Sequence, residues 1–114
     1  MNGVKKVIKV VKESFENSVD GKKVYLYTIS NDIMSFSVTN YGATITKILF
    51  PSKDGKVENL VLGYDSVNQY IKGNGCYFGV LAGRFANRIA NGSFILDSVK
   101  YQLDQNDGIN CLHG

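Results

Sequence analysis

Residues 34–39 read Met-Ser-Phe-Ser-Val-Thr, so apolar and hydroxyl side chains alternate at every position. Because successive side chains of a β-strand point to opposite faces, this period of two is typical of a strand with one buried face. The preceding segment, residues 24–29, carries apolar or aromatic side chains on both faces. We therefore expect two adjacent strands here, the first of them covered on both sides.

Short apolar segments separated by turn residues continue through most of the chain. After Ala43 the apolar positions change phase at Thr46 or Lys47, which predicts a β-bulge. Between Val4 and Phe15 the apolar spacing also fits an amphipathic helix, but the density of β-branched residues favours a strand. Further strands are expected at residues 57–62, 77–82, 93–96 and 99–103, the last two as a hairpin around Asp97-Ser98.

Two local signals add a turn and a short helix. Asp54-Gly55 adopts positive φ at little cost and predicts a tight turn. Residues 65–72 predict one or two helical turns, with Asp65 or Ser66 as the N-cap. Many short strands with little helix predict an all-β, mainly antiparallel protein with the architecture of a β-sandwich. Because no linker or repeat divides the sequence, we expect one domain over residues 1–114.

Composition and charge exclude several classes of protein. A net charge of +3, spread along the chain, predicts binding neither to nucleic acid nor to a membrane surface. No apolar run approaches the roughly 18 residues of a membrane span, and the start lacks the apolar stretch of a signal peptide. With Cys76, Cys111 and a single histidine, we expect free thiols in a reducing cytoplasm and no zinc site.

Residues 83–89, Gly-Arg-Phe-Ala-Asn-Arg-Ile, carry several hydrogen-bonding side chains. The arginine fork has five N–H donors and the asparagine amide both donates and accepts, which suits a ligand with many hydroxyl groups. Taken alone, however, Arg88 fits a surface residue better, Asn87 a turn residue, and the lone His113 a structural histidine.

Two other groups of residues have more ordinary interpretations. The seven tyrosines could be sugar-stacking platforms, but their alternation within strands favours packing. Asp104, Asn106 and Asp107 could be a calcium loop, but their spacing and the missing distal glutamate favour a solvated turn.

The order of several segments is similar to the aldose 1-epimerase family, in which G-R-x-A-N-R-I is followed by L-H-G at the interval that separates Arg88 from His113. Residues 40–45, Asn-Tyr-Gly-Ala-Thr-Ile, and residues 61–65, Val-Leu-Gly-Tyr-Asp, also resemble the family's N-terminal signatures. The resemblance covers roughly Tyr25 to Gly114, whereas residues 1–20 match only loosely.

This resemblance implies the N-terminal portion of a single domain, a truncated β-sandwich of the galactose mutarotase-like supersandwich type. It implies an isomerase of hexose and galactose metabolism that interconverts the α and β anomers of free sugars, without cofactor or metal. The substrate-binding residues would be Asn87, Arg88 and His113, with Arg84 in a structural role, either an ion pair or bonds to loop carbonyls. The glutamate base and histidine acid of the family lie after L-H-G, so we expect no catalytic residue within this chain and no activity from it alone.

Two other functional classes remain open from the sequence. One is a non-catalytic carbohydrate-binding β-module, and the other is a structural fragment without sugar affinity. A sugar-phosphate epimerase of similar fold ranks below both, because such relatives generally lack the whole motif combination. The expected partner is a small-molecule aldose, and uncovered strand edges make self-association possible.

Overall fold

A computed structural model describes residues 7–16 and 18–114 of the chain. Contacts divide the chain into two compact units, one ending at Leu81 and the other running from Ala82 to Gly114. Within the described ranges every paired strand is antiparallel, and helix is limited to one short α-helix and two three-residue 3-10 turns, Asn74–Cys76 and Ala90–Gly92. This confirms the all-β, mainly antiparallel class. No helix in those ranges is long and apolar enough to cross a membrane. The extent of a single domain stays a prediction.

The first unit contains a five-stranded sheet whose strands follow one another in chain order. Antiparallel neighbours connected by short turns are the arrangement that period-two segments and tight turns favour. The strands predicted from residues 24–29 and 34–39 are confirmed. The five strands are β1 (Lys9–Ser14), β2 (Tyr25–Ser30), β3 (Ser35–Thr39), β4 (Ile45–Pro51) and β5 (Val57–Asn59).

The predicted β-bulge lies at Thr46. Ser37 of β3 pairs with Lys47 and the next residue, Val38, pairs with Ile45, so Thr46 is the extra residue of β4. Its side chain is buried, and its hydroxyl donates to the carbonyl of Ser37 at 3.4 Å. The bulge therefore turns a polar side chain inward without leaving it unpaired.

A small core joins the sheet to the single helix, α1 (Val67–Gly73). The Ser66 hydroxyl accepts a hydrogen bond from the Gln69 N–H at 3.3 Å, which makes Ser66 the N-cap of the two residues proposed. The helix buries Val67 and Tyr70, and the Tyr70 ring meets that of Tyr64 edge to face at 5.1 Å. For these tyrosines, packing rather than sugar stacking is the observed role.

The strand predicted at residues 77–82 was wrong, and the one predicted at residues 57–62 is only three residues long, β5. Residues 77–82 form a turn, because Tyr77 and Gly79 both have left-handed backbone, with φ of 55° and 64°. The Gly79 carbonyl accepts the Ile45 N–H at 2.8 Å, so the segment packs on the end of β4 without joining the ladder. β5 stops at Asn59 because its side-chain amide oxygen, rather than backbone, accepts the Ile48 N–H at 3.0 Å.

The second unit consists of two short antiparallel pairs. β6 (Arg88–Ile89) pairs with β9 (Cys111–Leu112), and β7 (Ser93–Leu96) pairs with β8 (Val99–Gln102). The predicted hairpin is confirmed, one residue shorter in its second strand. Its connection, Asp97-Ser98, has φ of 48° and 64°, so the two residues adopt a primed turn without the usual glycine.

Candidate functional site

The β6–β9 pair brings together the three residues proposed to bind substrate. Arg88 pairs with Leu112, so Asn87 and His113 lie next to each other at the end of the ladder. The His113 N–H donates to the Asn87 carbonyl at 3.0 Å, and the Asn87 N–H donates to Nδ1 of His113, also at 3.0 Å. Each residue thus donates one backbone N–H to the other, His113 to a carbonyl and Asn87 to an imidazole nitrogen.

Left-handed backbone at both residues ends this ladder. Asn87 has φ of 68° and His113 has φ of 61°. Asparagine and histidine are among the few residues other than glycine that adopt this region with some frequency. The local conformation therefore depends on the residue types at these two positions as well as on their hydrogen bonds.

The contact with Asn87 also determines which nitrogen of His113 carries the proton. Because Nδ1 accepts a hydrogen bond from a backbone N–H, it holds no proton in this arrangement, and the neutral imidazole carries its N–H at Nε2. His113 therefore supplies a donor at Nε2 with a fixed ring orientation. Such a donor suits a hydroxyl or ether oxygen.

The guanidinium of Arg88 is held by a carboxylate. Its Nε lies 2.6 Å from Oδ2 of Asp107, a charge-assisted contact, while the side chain of Arg88 remains 56% exposed. For Arg84 we expected a structural role, either an ion pair or bonds to loop carbonyls. The ion-pair alternative was wrong within the described ranges, where Arg84 is exposed and Arg88 is the arginine that pairs with a carboxylate.

Residues 106–110 form a tight turn that the sequence interpretation treated only as solvated. Asp107 and Asn110 exchange backbone hydrogen bonds of 3.1 and 3.0 Å. The amide side chain of Asn106 donates to the Leu112 carbonyl at 2.9 Å and accepts the Leu112 N–H at 2.6 Å. The Asn-Asp-Gly sequence signals a turn, but it gives no sign of partners on β6 and β9.

An apolar cavity of about 390 Å³ lies beside Arg88, lined also by Phe85, Ile89 and Phe94. A pyranose has hydroxyls around its rim and C–H groups on its faces, so the Arg88 guanidinium beside this apolar wall can match both kinds of surface. Asn87 and His113 do not line the cavity. Among the described residues, no group of three or more His, Cys, Asp or Glu side chains is arranged to hold a metal ion.

The fold and these side chains define a class: an antiparallel β protein with a polar cluster suited to a hydroxylated ligand. Residues 25–114 match the family model described as aldose 1-epimerase. The chain belongs to the aldose 1-epimerase family.

Similar proteins agree with this assignment. The chain is 35% identical over 103 residues to a probable aldose 1-epimerase of Arthroderma benhamiae, covering 86% of this chain and 23% of that protein. It is 38% identical over 88 residues to galactose mutarotase of Bos taurus, covering 77% and 25%. The crystal structure of a galactose 1-epimerase from Lactobacillus acidophilus superposes with a TM-score of 0.68 at 34% identity, covering 94% of this chain and 30% of that one. The chain therefore spans about a quarter of the length of the curated relatives it matches.

Proposed function

We propose that this chain is the N-terminal, sugar-binding portion of a mutarotase-like β-sandwich domain, whose enzyme interconverts the α and β anomers of free hexoses such as galactose and glucose. The observation that carries the proposal is the reciprocal contact of Asn87 with His113 directly beside Arg88. Asn87, Arg88 and His113, whose side chains carry donors that a pyranose requires, are neighbours at one end of one short ladder. The interconversion of anomers is inferred from membership of the aldose 1-epimerase family.

The reaction needs two groups on either side of the hemiacetal. A base removes the proton of the anomeric hydroxyl while an acid gives a proton to the ring oxygen, and the bond between the anomeric carbon and the ring oxygen breaks. The open aldehyde rotates, and the ring recloses on its other face with the two proton transfers reversed. Because only protons move, an acid and a base of suitable pKa suffice, without a redox cofactor or a metal.

This chain contributes binding to that reaction. Arg88 and Asn87 donate to the ring hydroxyls, and the Nε2–H of His113 donates near the anomeric end. No second histidine occurs in the 114 residues. Glu13, Glu16 and Glu58 belong to the first unit and lie outside the matching motifs. The family resemblance assigns the acid and the base to a second histidine and a glutamate after the Leu-His-Gly segment.

Two measurements test this division of roles on the 114-residue chain. With freshly dissolved α-galactose, polarimetry should show no rate above buffer, because acid and base are absent. Titration with millimolar galactose should nevertheless shift the NMR signals of Arg88. Arg88→Ala should weaken binding roughly tenfold or more, since it removes a charged donor, while the control Arg84→Ala binds normally. A catalytic rate that Arg88→Ala abolishes, or a titration without any shift, contradicts the assignment.

We also propose that the protein is cytoplasmic and acts in hexose metabolism. Two unpaired thiols support a reducing compartment, since Cys76 and Cys111 form no disulfide and Cys76 is exposed.

Self-association, expected from the sequence through uncovered strand edges, is also part of the proposal, and the β7–β8 hairpin adds an uncovered apolar face. Cross-strand pairing puts Phe94, Leu96, Val99 and Tyr101 on one face, and all four are exposed within their unit. Leu96→Glu should weaken association of the chain roughly tenfold, because it removes a leucine that would be buried on contact. Sedimentation velocity measures this, with Ile95→Glu on the opposite face of the same hairpin as the control. Equal effects from both changes count against this face.

A further inference from the structure

Asp107 makes a specific contact with Arg88 that has no part so far in the proposed function of Asn87, Arg88 and His113. Its Oδ2 lies 2.6 Å from Nε of Arg88, although both side chains are partly open to solvent, at 36% and 56% exposure. An exposed ion pair of this kind adds little to stability, because solvent screens it and two side chains must be ordered. A role in orienting the guanidinium explains the contact better than a role in folding.

The carboxylate can orient its partner because the turn that carries it is itself fixed. Asp107 and Asn110 bond each other through their backbones, which closes the turn around Gly108 and Ile109. On one side, Asn106 holds both backbone groups of Leu112, the residue that pairs with Arg88 in the ladder. On the other side, the Asn110 amide oxygen accepts the N–H of Asn91 at 3.2 Å, just after β6. The turn is therefore attached to both strands of the ladder that presents Arg88.

We propose that Asp107 is a positioning residue for sugar binding, which acts by fixing the plane of the Arg88 guanidinium through Nε. The two terminal amino groups then keep four N–H donors for the hydroxyls of a pyranose. A long, exposed arginine side chain otherwise loses rotamer freedom when ligand binds, and ordering it in advance lowers that cost. Asp107 makes no contact with the sugar. This inference rests on the proposed sugar-binding role of Arg88.

Arginine Nε–H signals provide a direct test, because the chain contains only two arginines, Arg84 and Arg88. In the unliganded chain labelled with ¹⁵N-arginine, the Nε–H of Arg88 should exchange with water more slowly than that of Arg84, since only the former is bonded to a carboxylate. This comparison needs no variant of Asp107. Equal exchange rates overturn the inference.

Galactose titrations of variants then test the consequence for binding. Asp107→Asn should weaken galactose binding about fivefold and speed exchange of the Arg88 Nε–H, while the urea midpoint stays unchanged. Asp107→Glu keeps the carboxylate and should bind within about twofold of the parent chain. The control Asp97→Asn removes the same charge from the hairpin turn, where asparagine also accepts positive φ, and should bind as the parent does.

Failure of this inference differs from failure of the proposed function. If Arg88→Ala binds galactose as tightly as the parent chain, the sugar site itself is wrong and the inference falls with it. If Arg88→Ala loses binding but Asp107→Asn does not, the site stands and the positioning role of Asp107 is wrong.

Discussion

Replacing Gly79 by alanine is expected to lower the unfolding free energy of the five-stranded unit by about 3 kcal/mol or more. Gly79 has φ of 64°, and a Cβ built there would overlap the carbonyl oxygen of Ile45. That carbon can be accommodated only by moving backbone, which also breaks the bond from the Ile45 N–H to the Gly79 carbonyl. Urea unfolding followed by circular dichroism measures the loss.

Gly55→Ala is the matched control for this change. Gly55 also has positive φ, at 83°, but no atom lies within 4 Å of a Cβ built on it. Alanine there should cost only the backbone preference, about 1 kcal/mol. The difference between the two variants isolates the collision with Ile45. If both cost the same, Gly79 does not pack on β4 as described.

A second large effect is expected at His113, where two replacements separate its two nitrogens. Asparagine places an amide oxygen near the position of Nδ1 and accepts positive φ, so His113→Asn keeps the bond from Asn87 but removes the Nε2–H donor. His113→Ala loses both. Galactose binding should fall about tenfold in either variant, because each lacks the donor for the anomeric end. NMR titration of the 114-residue chain measures the affinity.

Stability distinguishes the two His113 variants. Alanine should destabilise the β6–β9 junction by roughly 1 kcal/mol, through the lost acceptor and its lower tolerance of positive φ. Asparagine should leave the junction intact, seen as an unchanged Asn87 N–H signal. Normal affinity in His113→Asn means that Nε2 does not contact the sugar.

Period-two patterning was sufficient to predict β2 and β3 of the first unit. The apolar-hydroxyl alternation of residues 34–39 locates β3, and the phase change after Ala43 locates the bulge at Thr46, because side-chain direction follows residue count in a strand. Residues 77–82 were misassigned because an apolar segment packed as a turn has the same composition as a strand. What distinguishes it is the close approach of Gly79 to Ile45, a contact between distant positions that no local pattern contains.

For the candidate site, the motifs supplied residues and the structure supplied their arrangement. Asn87, Arg88 and His113 were chosen by resemblance, since each alone has a more ordinary interpretation. That Nδ1 of His113 accepts from Asn87 depends on the pairing of two-residue strands and on left-handed backbone at both positions. Asp107 was missed because Asn-Asp-Gly predicts a turn, while its partner Arg88 lies far away in sequence.

The turn at residues 106–110 has a practical consequence for protein engineering. Asp107 and Asn110 close it through two backbone hydrogen bonds that need no residue outside the turn. We expect that it can be transferred to another pair of very short strands, where its first asparagine would bond the second strand and its aspartate would pair with an arginine on the first strand. The recipient protein would gain an arginine whose guanidinium is already oriented, although the strand that carries it is only two residues long.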